Sequence, residues 1–198
     1  ARAGIVLGKP YTLPFVEPFA ASGLKYSPWI IDQGWMVDQG FYNDNIKPEN
    51  DDDLQFVFIN QGTDSACGKI YSPIIDFSKA KSPVLSAWIH HSEAMPKEAY
   101  VKAVASIDGS KNCIDLSEPI AIDGNSGWTE HVFDLSTLNG KKAQIALEAY
   151  LPTPSNRIFT DDWTIKEATG NDLAIAAISQ PYYPVVGDNA EINVTVEN

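Results

Sequence analysis

Histidine, cysteine, clustered positive charge and long apolar runs are all scarce in this chain, and each shortage excludes something. No stretch of about 18 apolar residues occurs, so no segment reads as a membrane-spanning helix. Lysine and arginine number 14 against 26 aspartates and glutamates, a net charge of −12. There is no Lys/Arg run and no basic helix. Phosphate backbones and anionic head groups need such clusters, so nucleic acid and membrane-surface roles are disfavoured. The three histidines include the neighbours His90 and His91. Adjacent strand residues face apart, and no GxSxG elbow or other nucleophile motif accompanies them, so they read as polar residues at a strand end. Cys67 and Cys113 make no CxxC pair and have no histidine at ligand spacing, which removes zinc and redox readings. They are compatible with one disulfide or with two free buried thiols.

Helical periodicity is also missing. No segment holds a 3.6-residue apolar period over three turns. Gly, Pro, Asn and Asp clusters instead recur roughly every 8–12 residues, the spacing of an all-β protein. Strands are expected over Leu13 to Phe19, over Trp29 to Val37 (two short strands or one bent at Gly34), and over Leu54 to Asn60, where LQFVFIN is apolar on both faces. Lys69 to Ser72 is a strand stopped by Pro73. Val84 to His91 and Ala99 to Ile107 read as a pair of long strands. Asp108-Gly109-Ser110 supplies a turn. Trp128 to Leu135, Ala143 to Tyr150 and Arg157 to Ile165 complete the set. In VFDLSTLNGK the strand should end at Asp134, whose carboxylate and the Ser136 hydroxyl can satisfy turn amides, with Asn139-Gly140 giving a tight reversal.

The pattern breaks near Ala168-Thr169-Gly170-Asn171 and restarts as strand, Pro/Gly loop, strand. The expected organisation is a tail from a preceding module over 1–10, a main domain over 11–168, and the first strands of a truncated immunoglobulin-like domain over 169–198. Two strands cannot close a sandwich, so the pattern predicts that the natural protein continues. The chain opens mid-pattern at Ala1-Arg2-Ala3-Gly4, as a segment following a removed leader would.

Three segments taken in order carry a resemblance: LPFVEPF (Leu13 to Phe19); IYSPIIDFS with SPVLSAWIHH (Ile70 to Ser78, Ser82 to His91); and GWTEHVFDLSTLNGKKAQIALEAY with RIFTDDWTI (Gly127 to Tyr150, Arg157 to Ile165). They resemble the cleaved-adhesin and MAM-like jelly-roll domains of secreted Bacteroides-type surface proteins, over about residues 11–168. The tail from Asp172 looks like the start of a CARDB-like or fibronectin-like module. The resemblance implies an antiparallel two-sheet jelly-roll sandwich, secreted or at the cell surface, without catalysis. It also implies a structural calcium ion, adhesion or ligand capture, and a host or surface protein or glycan as partner beside the other domains of the chain.

The implied calcium ligands are Glu17 on the first strand and Asp161 or Asp162 on the last. The physical reading agrees to this extent: first and last strands of a sandwich are often neighbours, and carboxylates meeting there repel unless a cation or proton intervenes. Pro18 and Trp163 depart from the family's usual residues. Asp51-Asp52-Asp53, near Asn43, Asp44 and Asn45, makes a second oxygen-rich loop; it lacks the spaced ligands and Gly of an EF-hand, and it reads as a solvated loop, with a weak calcium site as the alternative.

Five tryptophans raise an alternative from another class, a carbohydrate-binding domain attached to a glycoside-processing enzyme. Exposed aromatic faces can stack on sugar rings. Trp29, Trp35 and Tyr42, in an irregular Gly-rich stretch, are the candidates least committed to a core. No paired Asp/Glu motif supports the domain itself as a glycosidase.

Overall fold

A computed structural model describes residues 9–20, 23–32, 34–38, 49, 55–60, 62–92, 95–107, 112–122, 127–154, 156–168, 174–179 and 193–197. The chain divides into two units, 1–167 and 168–198. The strands of the first unit are β1 (Tyr11–Thr12), β2 (Phe15–Glu17), β3 (Ile30–Ile31), β4 (Trp35–Asp38), β5 (Gln55–Ile59), β6 (Ala66–Tyr71), β7 (Ile75–Asp76), β8 (Pro83–His91), β9 (Tyr100–Ile107), β10 (Cys113–Asp115), β11 (Ile120–Ala121), β12 (Thr129–Asp134), β13 (Lys142–Leu151) and β14 (Arg157–Glu167).

These strands form two sheets. The first runs β1-β7-β13-β6-β3, with β9 on β13 and both β10 and β11 on β9. The second runs β12-β8-β14-β5-β4, with β2 also on β14. Every pairing in the two sheets is antiparallel except the short β1–β7 contact. The unit is therefore a two-sheet antiparallel sandwich of jelly-roll type, and its one helical element among the described residues is a single 3₁₀ turn at Ser136–Leu138.

The layers follow from period-2 patterning. Leu85, Ala87 and Ile89 of β8, Val101, Ala103 and Ala105 of β9, and Ala143, Ile145, Leu147 and Ala149 of β13 all point into one core with Phe15, Phe56, Phe58 and Trp163. Phe15, Phe56, Phe58 and Trp163 are each at most 1% exposed. Burial of one such side chain contributes about 2–3 kcal/mol. Gly34 has φ +93, and a Cβ there would lie 2.5 Å from the Phe58 ring. Only glycine fits that close approach, which is why the stretch from Trp29 breaks into β3 and β4 there.

One sequence expectation is corrected. β8 and β9 do not pair: β8 lies between β12 and β14 in the second sheet, and β9 pairs with β13, β10 and β11 in the first. Both strands send alternate residues into the same core from opposite sides, so their patterning is indistinguishable from that of a hairpin. The turn after β12 is as expected. Asp134 Oδ1 accepts the Ser136 N–H at 2.9 Å, the Ser136 hydroxyl donates to Asp134 Oδ2 at 2.7 Å, and Gly140 has φ +78. Tyr42, the Asn43–Asn45 and Asp51–Asp53 clusters and the Asp108–Ser110 turn lie outside the described residues.

In the second unit β15 (Ala174–Ser179) pairs antiparallel with β16 (Asn193–Glu197), with a register irregularity between Ile175 and Ala177.

Candidate functional site

The two sheets turn different outer faces outward. On the second sheet, Met36, Ile59 and Trp128 pack over Val57 and Phe159, both fully buried, with the His90 ring against Trp128 at 5.3 Å. That cluster is apolar and closed on itself. Each histidine donates from Nδ1 to the next residue's carbonyl, His90 at 2.9 Å and His91 at 2.7 Å, a local structural use.

The outer face of the first sheet differs in chemistry. Alternate residues of β6 (Cys67, Lys69, Tyr71), β13 (Gln144, Ala146, Glu148, Tyr150) and β9 (Tyr100, Lys102, Val104, Ser106) face away from the core. Cross-strand register sets Tyr150 between Cys67 and Tyr100, and Glu148 between Lys69 and Lys102. The Tyr100 and Tyr150 rings stack at 5.2 Å with an interplanar angle of 19°. Beside them Glu148, 8% exposed, collects three cross-strand partners. Lys69 Nζ lies 2.7 Å from Oε2, Lys102 Nζ 3.4 Å from Oε1, and the Tyr100 hydroxyl donates to Oε1 at 3.1 Å. Lys102 also pairs with Asp115 Oδ1 of β10 at 2.9 Å.

This network sets the charges. Burial pushes the Glu148 carboxyl up, but the Lys69 hydrogen bond and both ammonium groups outweigh it and hold Glu148 below the usual carboxylate range. The Asp115 hydrogen bond, more than burial opposes it, raises Lys102; for Lys69 the Glu148 contacts outweigh the lowering effect of burial. Burial and the Glu148 charge push the Tyr100 phenol up to about 12, so it stays a donor throughout the physiological range. The face thus offers aromatic rings next to fixed donors and acceptors, the combination found in small-ligand and sugar sites. A carboxyl held low is ionised at neutral pH, so Glu148 serves this face as a hydrogen-bond acceptor.

The residues singled out from sequence lie elsewhere. β2 pairs with β14, setting Glu17 opposite Trp163. Glu17 is fully buried, and its carboxylate accepts backbone N–H groups of Phe19 (3.2 Å) and Lys25 (3.0 Å) on Oε1 and of Tyr26 (2.9 Å) on Oε2. Three backbone N–H donors thus converge on the Glu17 carboxylate, two on Oε1 and one on Oε2. Asp161, also fully buried, accepts N–H bonds from Glu49 and Asp162 at 2.9 and 2.8 Å. Asp162 is half-buried at a bulge with φ +44. Among the described residues no three His, Cys, Asp or Glu side chains converge on one point.

Trp35 is 5% exposed, its ring against Phe58 and its Nε1 donating to the Gly68 carbonyl at 3.1 Å, so it is a core residue without a free face. Trp29 is half-buried among Phe19, Phe56 and Trp163, whose centroids lie 5.1–5.7 Å away. Tyr42 lies outside the described residues. Sequence reading missed Lys69, Tyr71, Tyr100, Lys102, Glu148 and Tyr150. Their one signal was polar and aromatic residues at every second position of strands whose other positions are apolar.

No family model matches the chain, and no curated protein matches it. Solved structures share its fold. The K2 cleaved adhesin domain of Lys-gingipain aligns with TM-score 0.56 at 18% identity, over 79% of this chain and 99% of that one. The K1 cleaved adhesin domain of Lys-gingipain from Porphyromonas gingivalis W83 aligns with TM-score 0.52 at 18% identity, over 78% and 98%. TmCBM61, solved with β-1,4-galactotriose, aligns with TM-score 0.51 at 13% identity, over 72% and 90%.

Proposed function

We propose that residues 11–168 form a non-catalytic, extracellular binding module that holds a glycan on the outer face of the first sheet. The observation that carries this reading is the stacked Tyr100–Tyr150 pair beside the Lys69–Glu148–Lys102 network. Sugar rings present apolar faces for stacking and hydroxyls for hydrogen bonding, and this surface supplies both at fixed positions. The fold it shares with adhesin domains and with a module solved around an oligosaccharide supports the reading. No helix among the described residues is long and apolar enough to cross a membrane, and the net charge of −12 works against nucleic acid.

Two settings accommodate such a module: adhesion by a modular surface protein, and attachment of a glycoside-processing enzyme to its substrate. The MAM-like character of the main domain and the CARDB-like or fibronectin-like character of the tail belong to the same reading and rest on the sequence resemblance. The structural calcium ion that the resemblance implies, with Glu17 and Asp161 or Asp162 as its ligands, carries no part of this reading. The test is binding of soluble glycans by the whole chain, with Tyr150→Ala as the variant that must weaken it.

A further inference from the structure

Cys67 belongs to two features at once. It lies directly opposite Tyr150 on the face just described. It also lines a pocket of about 440 Å³ at the end of the sandwich, with Gly34, Asn60, Thr63, Asp64 and Ser65. That volume lies within the usual range for ligand pockets, roughly 300–1,000 Å³. From Tyr100 across Tyr150 to Cys67 the distance is two strand spacings, about 10 Å, so the pocket opens where the aromatic pair ends.

The pocket is built rather than a gap between loose loops. Asn60 is 4% exposed; its amide Nδ2 donates to the Asp64 carbonyl at 2.7 Å and its Oδ1 accepts the Gly62 N–H at 3.0 Å. One buried side chain therefore fixes the loop on both sides. Thr63, Asp64 and Ser65 stay exposed, presenting two hydroxyls and a carboxylate. On the wall opposite, Gly34 has no side chain, and a Cβ there could be accommodated only by displacing Phe58.

We infer that this pocket is a second subsite of the same surface, and that the ligand is an uncharged glycan long enough to reach from Tyr100 into the 62–65 loop. The inference rests on the glycan-binding reading and adds length and charge to it. The charge follows from the ion pairs. Lys69 and Lys102 are both matched by Glu148 and Asp115, so the face carries no surplus positive charge, and the charged residue lining the pocket is Asp64. A sulfated or uronic-acid chain would meet that carboxylate on a protein of net charge −12. Hydroxyl groups, in contrast, can take both the free ammonium protons and the carboxylate lone pairs.

The test titrates the whole chain with uncharged cello-, xylo-, manno- and galacto-oligosaccharides, from disaccharide to hexasaccharide, and with oligogalacturonate and heparin oligosaccharides as the anionic arm. At least one uncharged series should tighten by about tenfold or more from shortest to longest. Ser65→Trp, which fills the pocket from an exposed position, should abolish that gain and leave the disaccharide unchanged. Thr63→Ala, which removes a hydroxyl without adding bulk, should reduce the gain in part, and unaltered melting of both variants shows that they are folded. If Tyr150→Ala weakens every oligosaccharide while Ser65→Trp leaves the length dependence intact, the second subsite is wrong and the face reading stands. Tightest binding by an anionic series overturns the charge assignment. Loss of affinity in Ser65→Trp with none in Tyr150→Ala overturns the shared surface. Absence of binding by every oligosaccharide overturns both readings.

Discussion

The hydroxyl of Tyr71, on β6, lies 3.6 Å from the sulfur of Cys113, on β10, although β13 and β9 stand between those strands. Three strand spacings amount to about 14 Å in a flat sheet, so the contact closes only because the Tyr71 ring reaches across and the sheet curves toward it. Ala146 and Val104, one on each intervening strand and facing outward, are consequently 0% and 1% exposed. The face is a trough with Tyr71 across part of its floor.

The same topology separates the cysteines. Cys67 pairs with Tyr150 and Cys113 with Ser106, three strands apart, and both are free thiols. A disulfide needs Cα atoms within about 7 Å, which these strands do not allow. Thiol titration in denaturant without reductant should give two reactive groups per chain, and reductant should leave the melting curve where it was. A count of zero would contradict the strand order itself.

Glu148 should make the fold acid-sensitive. Its folded-state pKa lies below the ordinary carboxylate value because the Lys69 and Lys102 contacts outweigh burial. A lowered pKa contributes stability that is fully present above the unfolded value and is lost as pH falls through the folded one. Melting temperature should therefore drop below about pH 4.5 in the wild type. Glu148→Gln, which removes the charge, should cost about 2 kcal/mol at neutral pH and flatten that acid limb. An unchanged acid limb in the variant would remove Glu148 from this role.

Much of the fold was legible because period-2 patterning marks strands well. β5, β8, β9, β12, β13 and β14 all fall on expected segments, β6 starts three residues before the expected Lys69 and ends at Tyr71, and Gly34 divides its stretch as expected. Patterning does not name a strand's partner, hence the mistaken pairing of β8 with β9, two strands that face one core from opposite sheets. The candidate site was illegible for a related reason. Lys69, Tyr100, Lys102, Glu148 and Tyr150 come from three strands far apart in sequence and meet only through cross-strand register. The tryptophans drew attention by size instead, and size is what the core uses in Trp35 and Trp163.

Glu17, at the end of β2, should behave as an N–H latch for the backbones of Phe19, Lys25 and Tyr26. Glu17→Ala should destabilise the domain by about 3 kcal/mol, since it orphans buried donors and removes charge-assisted bonds. EGTA should leave the wild-type melting temperature unmoved. A drop of several degrees, restored by calcium, would show a cation contribution that this donor arrangement does not account for.

The central claim is tested most directly by measuring glycan affinity in the wild type, in Tyr150→Ala and in Val132→Ser, the last an exposed residue of β12 on the other sheet. For an uncharged oligosaccharide that the wild type binds, Tyr150→Ala should weaken affinity by about tenfold or more, the scale of an aromatic contact, with melting unchanged, while Val132→Ser matches the wild type. Equal affinity in Tyr150→Ala and wild type, or loss in Val132→Ser alone, would contradict the assignment of the binding surface to the outer face of the first sheet.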